Sequence, residues 1–137
     1  MELVGAISLL LTYEDSFYGR SALLYQDNSS AFHAMVSGGA KSSALAAVAN
    51  VFHCALAGLN ANVWIEHANT KAMVADIPSR MQTTSPHPDT ELFRKLVPNE
   101  RTAVFPSPAE WENPILLLDA IRLRRLARLE SRKRALQ

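Results

Sequence analysis

Two short apolar runs set the frame for this chain. Ser21–Gln26 (SALLYQ) and Asn62–Glu66 (NVWIE) have the length and composition of buried strands, and 35 residues of mostly helix-forming sequence separate them. A connection of that kind cannot be a hairpin, and it lets the second strand run alongside the first in the same direction. The order helix, strand, helix, helix, strand, helix is an α/β pattern with two parallel strands. Two strands make a marginal sheet in water, so the surrounding helices must supply most of the core.

Local signals place those helices. Residues 2–17 read as one helix that is apolar almost all round, with Leu3, Val4, Ile7, Leu10 and Leu11 on its widest stripe, and Gly19 breaks the pattern. Asn28 or Ser29 caps a short helix that runs through Val36 and stops at Gly38-Gly39. Ser42 or Ser43 opens a longer one to about Leu59, with Leu45, Val48, Phe52, Leu56 and Leu59 spaced by three and four. Lys71–Ser79 reads as a brief helical turn cut off near Pro78.

From Met81 the character changes. The stretch MQTTSPHP (81–88) is polar and rich in proline, Thr90–Val97 suits a short amphipathic helix, and Ser107-Pro108-Ala109-Glu110 is a capping-box start. Asn113-Pro114 then opens a helix of about 20 residues, with Asn at the cap and Pro in the first turn. Ile115, Leu118, Ile121, Leu126 and Leu129 are expected to line its packed side. The chain is thus divided into residues 1–80, a linker with short helices over 81–112, and a basic amphipathic helix over 113–137.

Charge follows the same division. Residues 1–112 hold 7 Lys/Arg against 11 Asp/Glu, a net of −4, and residues 113–137 hold 7 against 2, a net of +5, so the overall +1 hides a mildly acidic body with a basic tail. One cysteine, Cys54, excludes an internal disulfide framework, and its apolar surroundings make it a core thiol. The run Leu3–Tyr13 is too short to cross a membrane, and Met1-Glu2 lacks the basic start of a secretory signal. The expectation is a soluble intracellular protein, cytoplasmic or nuclear, with no membrane partner. Trp64 is expected in the core, and Trp111 is expected to anchor the tail to the body. No His pairs with Cys54 at a zinc-like spacing.

Three acidic residues stand out by position. Asp27 closes the first strand, and the carboxyl ends of parallel strands are where α/β proteins place their chemistry. Glu2 opens the first helix, and Asp76 lies in ADIPSR, after the second strand. Asp27 and Asp76 also suit a turn or a solvated helix end.

Taken in order, ELVGAISLLLTY, LLYQDN, GGAKSSALAAVANVFHCAL, NVWIEH and KAMVADIPSR resemble the carboxyl-terminal part of a ribonuclease H domain of the kind attached to retroelement reverse transcriptases. The resemblance covers residues 2–80, and its most specific piece is the second strand with ADIPSR. Met73 stands where that signature tends to have Asn. The implied fold is α/β, an incomplete ribonuclease H-like fold followed by a helical basic tail. By position, the resemblance makes Glu2, Asp27 and Asp76 three of the family's four acidic metal ligands. Carboxylates about 5 Å apart repel by about 3 kcal/mol per pair at an effective dielectric near 20. The family's two Mg²⁺ or Mn²⁺ ions offset that, activate a water and stabilise the leaving 3′ oxygen of the RNA strand of an RNA–DNA hybrid, leaving a 5′ phosphate on the product.

In the family, the fourth ligand is an Asp on an opening strand, one of three strands ahead of the helix that starts here at Glu2. The expectation is therefore a fragment with little activity by itself, paired with another chain that supplies strands, or self-associated. Asn28, Lys41 beside Ser42 and Ser43, and Arg80 are the residues of this part placed to meet a nucleic-acid phosphate. The alternative is a non-catalytic remnant whose tail arginines, Arg122, Arg124, Arg125 and Arg128 among them, bind nucleic acid or face a protein partner.

Overall fold

The computed structural model of the chain describes residues 2–69 and 101–137. Its elements are α1 (Glu2–Thr12), α2 (Glu14–Phe17), β1 (Ser21–Gln26), α3 (Ser29–Ser37), α4 (Ser43–Leu59), β2 (Asn62–His67), α5 (Pro108–Glu112) and α6 (Pro114–Ala135). The expected turn over Lys71–Ser79, the helix over Thr90–Val97, the 81–88 stretch, Asp76 and Arg80 lie outside the described residues.

The class expected from sequence is present: mixed α/β with two parallel strands. β1 and β2 pair in register from Ser21↔Asn62 to Gln26↔His67, so β2 extends one residue beyond its apolar run. The caps are the expected ones. The Asn28 side chain accepts from Ala31 N, Gly38 closes α3 in the left-handed region at φ 71°, and Ser42 accepts from Leu45 N. Ser107 and Glu110 complete a reciprocal capping box, and Asn113 caps α6 ahead of Pro114. Each is a contact between residues no more than four apart, which is why sequence reveals it.

The first helix departs from expectation. It is broken at Tyr13 (φ −116°, ψ 35°) into α1 and α2. The Thr12 hydroxyl donates to Ser8 O at 2.6 Å and accepts from Val104 N at 2.9 Å. Arg101 stacks over the Tyr13 ring at 5.0 Å. The polar run Glu14-Asp15-Ser16 begins just after this point, and contacts with residues about 90 positions away accompany the break.

The core lies between the helices. Ile7 and Leu10 of α1, Met35 of α3, Val51, Phe52 and Leu59 of α4, and Leu117 and Ile121 of α6 are all buried. Each such side chain contributes about 1.5–3 kcal/mol by leaving water. Gly58 brings α4 and α6 together: a Cβ there would lie 3.1 Å from the Ile121 side chain and from Leu118 O.

Helix α6 packs on the body by only part of the stripe expected, with Ile121 buried and Leu118 half-buried. Leu117 and Ile121 are buried, whereas Ile115 and Leu126 are 56% and 58% exposed. The docked face is turned toward Leu117, Arg124 and Arg128, because Glu14 holds the two arginines and Gly58 admits Ile121. Trp111 is half-buried and packs against the core, as expected of an anchor.

Trp64 is a correction. It is 71% exposed, not in the core. Leu24 and Ile65 point toward the helices, while Leu23, Tyr25 and Trp64 occupy the other face. Strand side chains alternate between faces, so a sheet whose described helices pack on one side leaves the odd members of β1 in water.

Candidate functional site

The carboxyl end of β1 is built around Gln26. Its side chain is buried at 6% exposure and its Oε1 accepts from Asn28 N at 3.1 Å. Its backbone carbonyl accepts from Ala68 N at 3.0 Å, tying the ends of both strands together. Asn28 Oδ1 in turn accepts from Ala31 N at 3.0 Å. The β1–α3 junction is thereby held from both sides, and Asp27 sits half-buried within it.

A cavity of about 330 Å³ opens beside this junction. Glu2, Asn28, Ser30 and Ser42 contribute its polar groups, and Leu3, Ala31 and Val48 are among its apolar ones. The N-termini of α1, α3 and α4 all reach it. Helix N-termini carry partial positive charge, which attracts the Glu2 carboxylate and any anion that enters.

The structure thus brings Glu2 and Asn28 to one cavity from positions 26 residues apart. Asp27 adjoins it without lining it. Lys41 is exposed and precedes Ser42, which lines the cavity, but does not line it itself. Asp76 and Arg80 lie outside the described residues. Among the described residues, no three His, Cys, Asp or Glu side chains gather as a metal-binding group. Glu2 and Asp27 are hard oxygen donors of the kind Mg²⁺ or Mn²⁺ takes, but two carboxylates are not a complete ligand set.

The tail arginines are divided. Arg124 and Arg128 form ion pairs with Glu14, and Arg128 also reaches Asp15 at 2.6 Å. Arg125 lies over the Tyr18 ring at 4.2 Å. Arg122 is exposed. Three of the four arginines considered for nucleic-acid contact therefore hold α6 to the body.

Sequence reasoning passed over Gln26 and Glu14, since nothing local marks a glutamine at a strand end or a glutamate in an apolar helix as a junction. His67 closes β2, with its Nε2 3.5 Å from Ser29 Oγ and its ring edge-on to Phe32 at 5.5 Å. His53 lines a second cavity of about 360 Å³ with Met35 and Trp64. Its Nε2 is buried and has no hydrogen-bond partner among the described residues. Cys54 is half-buried, and burial pushes its thiol pKa up, which keeps it protonated and unreactive.

Neither a family model, nor a curated protein, nor a solved structure matches this chain.

Proposed function

We propose that the chain is the carboxyl-terminal part of a ribonuclease H-like domain, whose reaction is hydrolysis of the RNA strand of an RNA–DNA hybrid. One observation carries this reading. Glu2 at the head of α1 and Asn28, the residue after Asp27 at the end of β1, line one cavity, at the carboxyl end of a parallel strand where α/β folds place ligands. The order and spacing of the sequence segments through ADIPSR add to it.

In this reading Glu2 and Asp27 are the carboxylates that would hold a divalent cation, which supplies charge neutralisation and an activated water. Asn28 keeps Asp27 in place by capping α3, and Lys41 offers a cation to a phosphate at the cavity rim. Glu2 and Asp27 by themselves do not complete a metal site.

Mn²⁺ titration of the isotope-labelled chain tests the assignment by paramagnetic broadening. The expected result is broadening centred on the Glu2, Asp27 and Asp76 side chains, lost in Asp27→Asn. Broadening spread over the other carboxylates with no preference for these three overturns it. Cleavage of a labelled hybrid in Mg²⁺ or Mn²⁺, absent in Asp27→Asn, is the corresponding activity readout.

The second reading is a non-catalytic protein that binds nucleic acid through its tail. Exposed Arg122, Arg132, Lys133 and Arg134 favour it. It predicts hybrid binding that falls steeply with salt and survives Asp27→Asn.

A further inference from the structure

The outward side of α6 carries apolar side chains along its whole length, with charges set between them. Ile115, Leu116, Leu123, Leu126, Leu129 and Leu136 are 56%, 45%, 66%, 58%, 39% and 89% exposed. At 100° per residue they all lie within a quarter turn of Leu126, opposite the docked Leu117. Five charges share this side and are exposed: Asp119, Arg122, Glu130, Lys133 and, at its edge at the same angle as Leu116, Arg134. A surface helix that already buries one face has no reason to carry a second apolar face unless something covers it.

We infer that a second copy of this chain covers it, with the two α6 helices antiparallel and Leu126 packed near its own copy. The charge order selects this occupant and this direction. Counting outward from Leu126, Asp119 and Lys133 are each seven residues away, and Arg122 and Glu130 are each four. Antiparallel pairing therefore sets Asp119 level with Lys133 of the other copy, and Arg122 level with its Glu130. Symmetry repeats both. Leu123 comes level with Leu129, and Leu116 with Leu136, over about 30 Å of helix. Parallel pairing would set each charge against itself and stack the basic last turns on each other, which is repulsive. Among the described residues Glu130 pairs with Arg134 at 3.9 Å, an exposed pair that contributes little and can be re-partnered. The inward arginines stay with Glu14, so the interface uses only the side left open by docking. It is independent of the cavity at the end of β1.

Sedimentation of the full chain over a range of concentrations reads the association. A dimer is expected, weakened at least about tenfold by Leu126→Glu with unchanged circular dichroism. Asp119→Lys and Lys133→Asp should each weaken it, and the two together should restore it. Oxidation distinguishes the direction. Leu126→Cys should cross-link to itself, whereas Leu116→Cys should not, except when mixed with Leu136→Cys. A chain that stays monomeric overturns the inference. So does a dimer that ignores Leu126→Glu but is lost in Leu23→Glu on the sheet, or equal self-cross-linking at 116 and 126.

Discussion

Arg124 donates through its Nε to Glu14 Oε1 at 3.0 Å, across 110 residues of sequence. Glu14 is 6% exposed, although Asp15 beside it is exposed. A second arginine, Arg128, reaches its other carboxylate oxygen at 3.2 Å. This carboxylate fixes the rotation of α6 on the body.

Glu14→Gln should be the most damaging single polar substitution in the chain. It removes the charge that two partly exposed arginines share. Breaking a fully buried pair costs about 3–5 kcal/mol; with the arginines 40–41% exposed, solvent screening reduces this to about 1–3 kcal/mol. Urea unfolding measures it, and a loss below about 0.5 kcal/mol would show that α6 docks by its leucines alone.

Gly58→Ala tests the close approach of α4 to α6. Alanine gains about 1 kcal/mol in helix propensity, but its methyl meets Ile121 and the Leu118 carbonyl at 3.1 Å. The carbonyl cannot rotate away as a side-chain end can. We expect a net loss of stability, and a larger one for Gly58→Val. Recovery in Gly58→Ala/Ile121→Val would assign the loss to overlap, and a stabilised Gly58→Ala would contradict the approach.

Asn28→Ala should cost about 1 kcal/mol by uncapping α3, and Asn28→Ser should restore most of it. A role beyond capping would separate the two. If Asn28→Ser keeps stability but loses Mn²⁺ broadening at Asp27, the amide serves the site itself; equal broadening confines Asn28 to the cap.

The two tryptophans should quench unequally. Trp64 is 71% exposed and Trp111 packs against the core. Acrylamide quenching should show an accessible and a protected component, and Trp64→Phe should remove the accessible one. A single protected component would mean that the outer sheet face is covered in solution.

Cys54 should react slowly with iodoacetamide at pH 8, because burial raises its pKa and holds it as the thiol. The sign for stability follows. The unfolded thiol ionises first, near pH ~8.5, so the native state keeps its full contribution below that pH and loses it as pH rises through the folded pKa. Cys54→Ala should remove this alkaline loss; an unchanged pH profile would place its origin elsewhere.

Much of the fold was legible because it is local. The caps at Asn28, Ser42, Ser107 and Asn113, the stop at Gly38 and the parallel pairing of β1 with β2 follow from neighbours in sequence and from the length of the helical connection. Of the candidate site, Glu2 and Asn28 line one cavity, Asp27 only adjoins it, and Asp76 lies outside the described residues.

What the chain's letters determined by themselves was the type and extent of most elements, since hydrogen bonds over two to four residues decide caps and periodicity decides which segments bury a face. Tertiary structure alone decided the break at Tyr13, the outward position of Trp64 and the rotation of α6. Each depends on a partner far along the chain: residues 101–104 for Thr12 and Tyr13, the helix layer on one sheet face for Trp64, and Glu14 with Gly58 for the arginines and Ile121. An apolar stripe shows that a helix must be covered, but not by what or from which side.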